Sequence, residues 1–226
     1  MKRAVITYIF GRGKELLREP LVVDKDIEYI CVTDQKDLKS KTWKIVHDDI
    51  KQAGCTRDKM VYVKYNPFKY TTANEACVVD GSIQIKASLR KLFEQLKDKD
   101  ILIKQHPERT NLYDELQAWV KLRNLPKEYI TKFEHMSKYY KISLTTKFLL
   151  ESCVLVFKNT NAVQELCESV IALMKFLGEK PCLFLSNQCC LTYLLRTMHK
   201  HVKFDWLQQS LFFNRYKHNT HKLNTR

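Results

Sequence analysis

The segment Ala76-Cys77-Val78-Val79-Asp80-Gly81-Ser82-Ile83-Gln84-Ile85 joins an apolar, β-branched run to a carboxylate and a glycine. The run predicts a buried strand, and Asp80 follows it directly. A carboxylate is rarely left in a core unless it is paired or bound to a metal, and the adjacent Gly81 allows a backbone or a ligand to approach closely. An Asp-Gly pair between two β-runs is also typical of a type I′ hairpin, so both interpretations stay open at this point.

Strand-like runs alternate with helical patterns along the chain. Apolar, β-branched runs predict strands at 4–10, 28–33, 43–46, 76–79, 101–104 and 149–157, with 83–85 as a possible continuation of the fourth. Apolar residues at helical spacing predict helices at 88–97, 113–122, 162–177 and 187–198. The alternation predicts one α/β domain over 1–226, built on a central mixed, mainly parallel sheet flanked by helices.

The composition is that of an ordered globular domain with a basic surface. Hydrophobic residues make up 45% and charged residues 28% of the chain. A net charge of +14 implies anionic partners such as nucleotide phosphates, nucleic acid or acidic membranes. The lysines are spread along the chain and no nucleic-acid-binding motif is present, so we expect no nucleic-acid partner. No apolar run approaches the roughly 18 residues of a transmembrane helix.

The eight cysteines are expected to be reduced. Cys31, Cys77 and Cys153 lie inside apolar runs, where cysteine behaves as a small hydrophobic residue. The chain contains no Cys-x-x-Cys pair of the kind that binds zinc, and the apolar part of residues 1–10 is too short for a signal peptide. Together these features predict a cytoplasmic protein.

Polar residues or glycines follow several of the predicted strands. Ligands in parallel α/β sheets bind beyond the carboxyl ends of the strands. The residues at such positions in this chain are Thr7 to Gly11, Asp34, Asp80 and His106. We therefore expect them to meet around one crevice.

Several short segments, taken in order, resemble the GT-A-type glycosyltransferases. The segments are Tyr29-Ile30-Cys31-Val32-Thr33-Asp34, Asp58-Lys59-Met60 with Lys64 and Pro67, Val79-Asp80-Gly81-Ser82-Ile83, His106-Pro107-Glu108-Arg109 with Tyr113-Asp114-Glu115, Ser186-Asn187-Gln188 and Arg215-Tyr216-Lys217-His218-Asn219. The similarity covers nearly the whole chain. The similar proteins include plant proteins and bacterial polysaccharide transferases. The similarity is greatest to the N-terminal glycosyltransferase domains of chlorella-virus enzymes that glycosylate the major capsid protein.

The resemblance implies a GT-A-like fold and a defined chemistry. The implied reaction moves a sugar from a UDP-sugar, of the UDP-glucose or UDP-rhamnose type, to a glycan or glycoprotein acceptor. The implied setting is viral capsid glycosylation in the host cytoplasm. A Mn²⁺ or Mg²⁺ ion would neutralise the diphosphate. The domain would be either complete or excised from a longer multidomain enzyme.

The metal ligands implied by the resemblance are Asp80 and His218. Asp80 takes the place of the Asp-x-Asp motif of GT-A enzymes, although Ser82 stands where the second carboxylate is usual. Ser82 could hold a metal-bound water or the ribose. His218 belongs to a basic, aromatic tail that would close over the metal and the diphosphate, and a disordered terminus is the alternative. Asn187 also departs from the bacterial relatives, which tend to carry aspartate there.

A further set of residues could bind the donor nucleotide. For the end of the first strand the resemblance implies contact with the base, and packing is the equal alternative for its two aromatic residues. Asp34 would bind the ribose or the base edge, or serve as a turn residue. Arg57 and Lys59 could hold phosphate or lie on a solvated surface. The candidates for donor binding are Thr7, Tyr8, Phe10, Gly11, Asp34, Arg57, Lys59 and Ser82.

Glu151 is the candidate general base of an inverting displacement. It is the one acid of the apolar run 149–157, and burial there would raise its pKa toward a useful range. The alternative is a structural partner to a lysine. Arg109 and Glu115 either shape an acceptor pocket with His106 or simply pair with each other, and Trp119 is expected in the core.

Two functions of different class remain from the sequence. One is a metal-dependent glycosyltransferase. The other is a non-catalytic basic binding module that keeps a GT-A-like fold and binds polyanions. A response to UDP separates the first from the second, which would show only salt-sensitive binding of polyanions.

Overall fold

The computed structural model of the chain describes residues 1–11, 16–123, 127–178 and 187–216. The strands in this part of the chain are β1 (Arg3–Ile9), β2 (Ile27–Thr33), β3 (Lys44–His47), β4 (Glu75–Val79), β5 (Ile83–Ile85), β6 (Ile101–Gln105), β7 (Leu150–Lys158), β8 (Phe204–Trp206) and β9 (Phe213–Arg215). The helices are α1 (Thr56–Lys64), α2 (Arg90–Gln95), α3 (Leu112–Arg123), α4 (Glu128–Tyr139), α5 (Asn161–Leu177), α6 (Asn187–Arg196) and α7 (Gln209–Phe212).

A seven-stranded sheet with the order β3-β2-β1-β4-β7-β6-β8 organises the molecule. The pairs β2·β3, β1·β2, β1·β4 and β6·β8 are parallel, whereas β7 is antiparallel to both of its neighbours. The mixed, mainly parallel sheet that the alternating pattern predicted is therefore confirmed. Because only β7 is reversed, the carboxyl ends of the other six strands lie along one edge.

Both faces of this sheet are buried, because successive side chains along each strand point to opposite faces. In β1, Ile6 and Tyr8 pack on the face that α1, α3, α5 and α6 cover. Val5 and Ile9 pack on the opposite face, against α2 and a two-stranded ribbon of β5 and β9. Burial on both sides explains why these strands read as continuous apolar runs rather than as alternating patterns.

The Asp80-Gly81 pair turns the chain out of the large sheet and does not form a hairpin. The backbone carbonyl of Asp80 accepts a hydrogen bond from the Ile83 N–H at 2.8 Å, and the Asp80 N–H donates to the Cys153 carbonyl at 3.0 Å. Both edges of β4 are already paired, with β1 and β7, so β5 cannot add to it and pairs with β9 instead. The hairpin interpretation and the continuation of the fourth strand are both wrong for this reason.

A bulge in β7 lies beside this turn. Ile103 is paired with Leu155, whereas the next residue, Lys104, is paired with Glu151. Residues 152–154 therefore have no separate partners on β6, and the carbonyl of Cys153 meets Asp80 on the other side. Bulges redirect side chains and are frequent next to active sites.

Six of the seven cysteines in the described ranges are buried, and Cys55 is partly exposed. Cys31, Cys77 and Cys153 are buried, as predicted, and the seven cysteines of the described ranges are free thiols. Burial raises the pKa of Cys31 and, with Glu151 nearby, that of Cys153 to about 12, so these thiols stay protonated at neutral pH. Within the same ranges no helix is long and apolar enough to cross a membrane.

Candidate functional site

The carboxyl ends of β2, β1 and β4 lie side by side at one edge of the large sheet. Phe10 and Gly11 follow β1, Asp34 follows β2, and Asp80 follows β4. The expected adjacency of these strand ends is confirmed. His106 follows β6, which the reversed strand β7 separates from β4. Such an edge is where parallel α/β sheets bind ligands.

Asp34 is held by the backbone that leaves β1. One carboxylate oxygen accepts a hydrogen bond from the Gly11 N–H at 2.9 Å, and the other lies 3.0 Å from the Lys59 ammonium. Gly11 has a φ of +79°, a conformation that glycine adopts without the cost paid by other residues. Burial opposes ionisation of Asp34, but the Gly11 N–H and Lys59 outweigh it and hold the pKa of that carboxyl below its ordinary value.

Lys59 bridges two carboxylates rather than lying on a solvated surface. Its ammonium is 2.7 Å from Asp49 and 3.0 Å from Asp34, and its side chain is 16% exposed. The hydrogen bond to Asp49 and the contact with Asp34 raise the pKa of Lys59 above its ordinary value. Its charge is thus already balanced, and its direct effect is to orient Asp34.

Asp80 accepts two donors on one oxygen. The Tyr8 hydroxyl donates to Asp80 Oδ1, and the Lys64 ammonium lies 2.8 Å from the same atom. The Lys64 side chain is only 6% exposed, whereas that of Asp80 is 31% exposed. A partly open carboxylate thus lies above a buried cation at the end of β4.

The aromatic residues predicted at the end of β1 are packed into the core. Tyr8 and Phe10 are 3% and 6% exposed, and Thr7 is 2% exposed. Tyr8 uses its hydroxyl on Asp80, and the Phe10 ring centroid lies 5.9 Å from the Lys59 ammonium. These contacts fit the packing alternative for the side chains, and Gly11 is the part of this segment that approaches Asp34.

Glu151 is buried and doubly ion-paired. Its carboxylate lies 3.0 Å from the Lys104 ammonium and also binds the Arg215 guanidinium. Burial alone would raise the pKa, as expected from the sequence, but Arg215 and Lys104 outweigh it and hold the pKa of Glu151 below its ordinary value of 4.5. The expected upward shift is therefore wrong, because the sequence does not reveal the two cations.

Ser82 and Arg57 have structural contacts away from Asp80. Ser82 is buried, and its carbonyl accepts a hydrogen bond from the Tyr216 N–H at 3.0 Å. That bond extends the β5–β9 ribbon. The Arg57 guanidinium lies 5.8 Å from the ring centroid of Trp119, on α3. Arg57 therefore links α1 to α3, and phosphate contact by Arg57 stays a prediction.

A second buried carboxylate, Glu115, is fully enclosed at the end of β6. It accepts hydrogen bonds from Arg109, from the Trp119 indole N–H at 2.6 Å and from Gln188. The structural pairing of Arg109 with Glu115 is confirmed. Trp119 is partly buried against the core.

His106 faces this cluster. Its Nδ1 accepts hydrogen bonds from the N–H groups of Glu108 and Arg109, at 3.2 and 3.0 Å. Burial lowers the pKa of the ring, with Glu115 opposing the shift and Arg109 adding to it. The other ring nitrogen, Nε2, lies 3.3 Å from the Arg109 guanidinium and 3.9 Å from Glu115.

Asn187, the first residue of α6, is held by two hydroxyl groups. Its side-chain oxygen accepts hydrogen bonds from the Ser152 hydroxyl and, at 3.2 Å, from the Tyr65 hydroxyl. Both donors are buried. An amide at this position therefore ties the start of α6 to the bulge of β7.

Of the two predicted metal ligands, Asp80 and His218, His218 lies outside the described residues. No group of three or more His, Cys, Asp or Glu side chains that could hold a metal ion occurs in the described ranges. Among the predicted ligands, Asp80 alone is placed by the structure.

Comparisons with known proteins give structural likeness alone. No protein-family model and no curated protein matches the chain. The chain is similar to the apo form of mouse xyloside xylosyltransferase 1, with a TM-score of 0.49 and 11% identity over 90% of this chain and 84% of that one. It is also similar to the apo form of the glycosyltransferase GlyE of Streptococcus pneumoniae, with a TM-score of 0.48 and 12% identity over 92% of this chain and 45% of that one.

Proposed function

We propose that the crevice at the carboxyl ends of β1, β2 and β4 binds a UDP-sugar and that the chain transfers the sugar to a glycan or glycoprotein acceptor. The observation that carries the proposal is the placement of Asp34 after β2 and of Asp80 after β4, on either side of β1, with Glu151 on β7 beside β4. Such a placement suits a donor that presents both a ribose and a diphosphate. The ordered motifs that resemble GT-A enzymes support the same assignment.

The donor nucleotide would lie across the ends of β1 and β2. Asp34 is ionised and held in place by Gly11 and Lys59, so its carboxylate can accept hydrogen bonds from a ribose without reorganising. Asp80 lies at the end of the next strand. This order places the diphosphate toward β4, and a sugar of the glucose or rhamnose type would extend toward β7.

The divalent metal expected from the sequence does not fit the described residues alone. Asp80 is the single carboxylate of its motif, and its Oδ1 is already bound by a buried ammonium and a hydroxyl. Mn²⁺ and Mg²⁺ need several oxygen ligands with room for phosphate and water. The metal stays a prediction that depends on His218, and no step of the proposed reaction passes through it.

Glu151 is the proposed general base of an inverting displacement. The acceptor hydroxyl oxygen would attack the anomeric carbon, the bond to the diphosphate oxygen would break with its electron pair, and the hydroxyl proton would pass to Glu151. The lowered pKa keeps this carboxylate ionised at neutral pH. Arg215, half-exposed, would have to release the carboxylate or share it with the acceptor.

The biological setting is proposed from the motifs alone. Their similarity to chlorella-virus domains supports a capsid glycoprotein as the final acceptor and the host cytoplasm as the place of reaction. The free thiols of the described cysteines agree with a reducing compartment.

The test is a thermal melt of the full chain against a panel of nucleotide sugars. UDP-sugars should raise the melting temperature while GDP-sugars leave it unchanged, and a ligand at a hundred times its Kd should add about 2.7 kcal/mol of stability. Turnover is then measured by release of UDP in the presence of candidate acceptors, and NMR of the product reports the anomeric configuration. No response to any UDP-sugar, together with salt-sensitive binding of a polyanion such as heparin, would replace this proposal with the basic binding module.

A further inference from the structure

The ammonium of Lys64 occupies the position beside Asp80 at which the sequence predicts a metal. Lys64 is the last residue of α1, and its Nζ lies 2.8 Å from Asp80 Oδ1. The side chain is only 6% exposed, whereas that of Asp80 is 31% exposed, so the ammonium is shielded from solvent beside a partly open carboxylate. The Tyr8 ring centroid lies 6.0 Å from the same ammonium.

Burial of a lysine has a cost that this position must compensate. A buried ammonium is tolerated when it is paired and hydrogen-bonded. In the described ranges Asp80 is the acidic group within ion-pair distance of Lys64. An ammonium has three N–H donors, and one carboxylate oxygen, itself shared with Tyr8, satisfies one of them. The remaining donor capacity suits an anionic ligand at the foot of the crevice.

A divalent cation would meet this ammonium at short range. To bind Asp80 Oδ1, the ion would have to displace Lys64 or lie beside it, and like charges a few ångströms apart repel strongly in a partly buried site. Ser82 supplies no second carboxylate, and its carbonyl is used by Tyr216. The local charge balance therefore favours the Lys64 ammonium over a divalent metal ion beside Asp80.

We propose that Lys64 is the phosphate-binding cation of this site, and that a nucleoside diphosphate binds beside Asp80 without a divalent metal. The inference rests on the proposed function, since it assigns the diphosphate of the donor to the end of β4. A lysine binds phosphate as a point charge. Asp80 is the positioning residue that holds the ammonium at the crevice.

This assignment gives Lys64 a part in the departure of the diphosphate. Negative charge grows on the leaving oxygen as the glycosidic bond breaks. A cation already fixed by Asp80 and by the end of α1 stabilises that charge without reorganising. Asp80 shares the ammonium with the ligand, so the pair remains bound throughout.

The test is isothermal titration of the full chain with UDP, in a chelator and again with Mn²⁺. UDP is expected to bind in the chelator, and Lys64→Met is expected to weaken that binding about tenfold to a hundredfold, the value of a hydrogen bond to a charged group. Lys69→Met is the matched control, because Lys69 forms an ion pair with Asp48 at 3.0 Å on the surface. This control should leave UDP affinity unchanged.

Each outcome decides between the parts of the proposal. Binding of UDP only when Mn²⁺ is present, or equal affinity of Lys64→Met and wild type in chelator, overturns the Lys64 assignment and leaves the glycosyltransferase proposal standing. Absence of UDP binding under both conditions overturns both. If Lys64→Met does not fold, the double variant Lys64→Met/Asp80→Asn removes both charges of the pair, and it should fold and still show the loss of chelator-resistant binding. Retention of that binding by the folded double variant also overturns the assignment.

Discussion

Arg215 on β9 forms an ion pair with Glu151 on β7, although the two residues are 64 positions apart. The ribbon that carries Arg215 is anchored by the pairing of Ile83 with Arg215. Ile83 follows the Asp80 turn directly, so the same short ribbon connects the proposed diphosphate site to the proposed general base. Displacement of this ribbon would change the charge environment of both.

Glu151→Gln is expected to abolish most turnover while sparing donor affinity. The amide keeps the size of the side chain but cannot take a proton, and loss of a general base costs about a hundredfold to ten-thousandfold in rate. Turnover is measured by UDP release and affinity by UDP titration. Glu75→Gln is the matched control, because Glu75 is equally buried and bound to Arg3 at 3.0 Å, but at the opposite end of β4. Near-normal turnover of Glu151→Gln would remove this residue from the role.

Arg215→Met is expected to move the acidic limb of the rate profile to higher pH. Burial raises the pKa of Glu151, and Arg215 and Lys104 together lower it to below 4.5; removing Arg215 leaves burial less opposed. In the wild type the active carboxylate, and the stability it contributes, are fully present above pH 4.5 and are lost as the pH falls through the lower folded pKa. The measurement is kcat against pH for both proteins. An unchanged acidic limb would show that Glu151 does not control the rate.

Asp34→Asn is expected to weaken UDP binding about tenfold. The amide oxygen can still accept the Gly11 N–H, but the charge that strengthens hydrogen bonds to a ribose is lost. Asp49→Asn is the control, because Asp49 is the other partner of Lys59 and its side chain is 69% exposed. Calorimetric titration with UDP compares the two variants. Equal losses in both would assign the effect to Lys59 and not to Asp34.

Glu115→Gln is expected to destabilise the fold by about 3 kcal/mol, because it removes the charge that compensates a partly buried Arg109. Glu108→Gln is the control. Glu108 lies 3.6 Å from the same guanidinium, but its side chain is 76% exposed, so its loss should change stability by less than about 0.5 kcal/mol. Urea denaturation gives both values. Similar stability of the two variants would contradict the structural role assigned to Glu115.

The long strands could be predicted because a strand that is buried on both faces appears in the sequence as a continuous apolar run. The predicted bounds of β4 and β7 agree with the structure to within one residue at each end. Thr160 caps α5 by accepting the Val163 N–H, and its polar neighbours mark that helix start in the sequence. Local composition is sufficient in these cases because the elements are long and apolar.

Three helices are absent from the sequence-based prediction: α1, α4 and the four-residue α7. In α1 the buried positions include Asp58 and Lys64, so the apolar stripe that predicts helices is interrupted by charges that are paired only in the fold. In α4 the buried Tyr129, Ile130 and Phe133 have helical spacing. That signal is present in the sequence and could have identified the helix.

Local sequence could not decide whether Asp80 and Gly81 form a hairpin or a turn out of the sheet. The same residues suit a hairpin and a turn that leaves the sheet. The choice depends on which strands occupy the edges of β4, and β1 and β7 occupy both. Sheet order is a property of the whole chain, since each hydrogen-bonded edge can be used only once.

The sequence by itself determined which residue types stand at the strand ends: Gly11, Asp34 and Asp80 follow apolar runs whose burial is dictated by composition. Which cations reach the carboxylates was decided only by the tertiary structure. Lys64 reaches Asp80, and Arg215 reaches Glu151, through folding that brings distant segments within ion-pair distance. The energy of a charge depends on separation in space and on burial, and neither quantity can be read from positions along the chain.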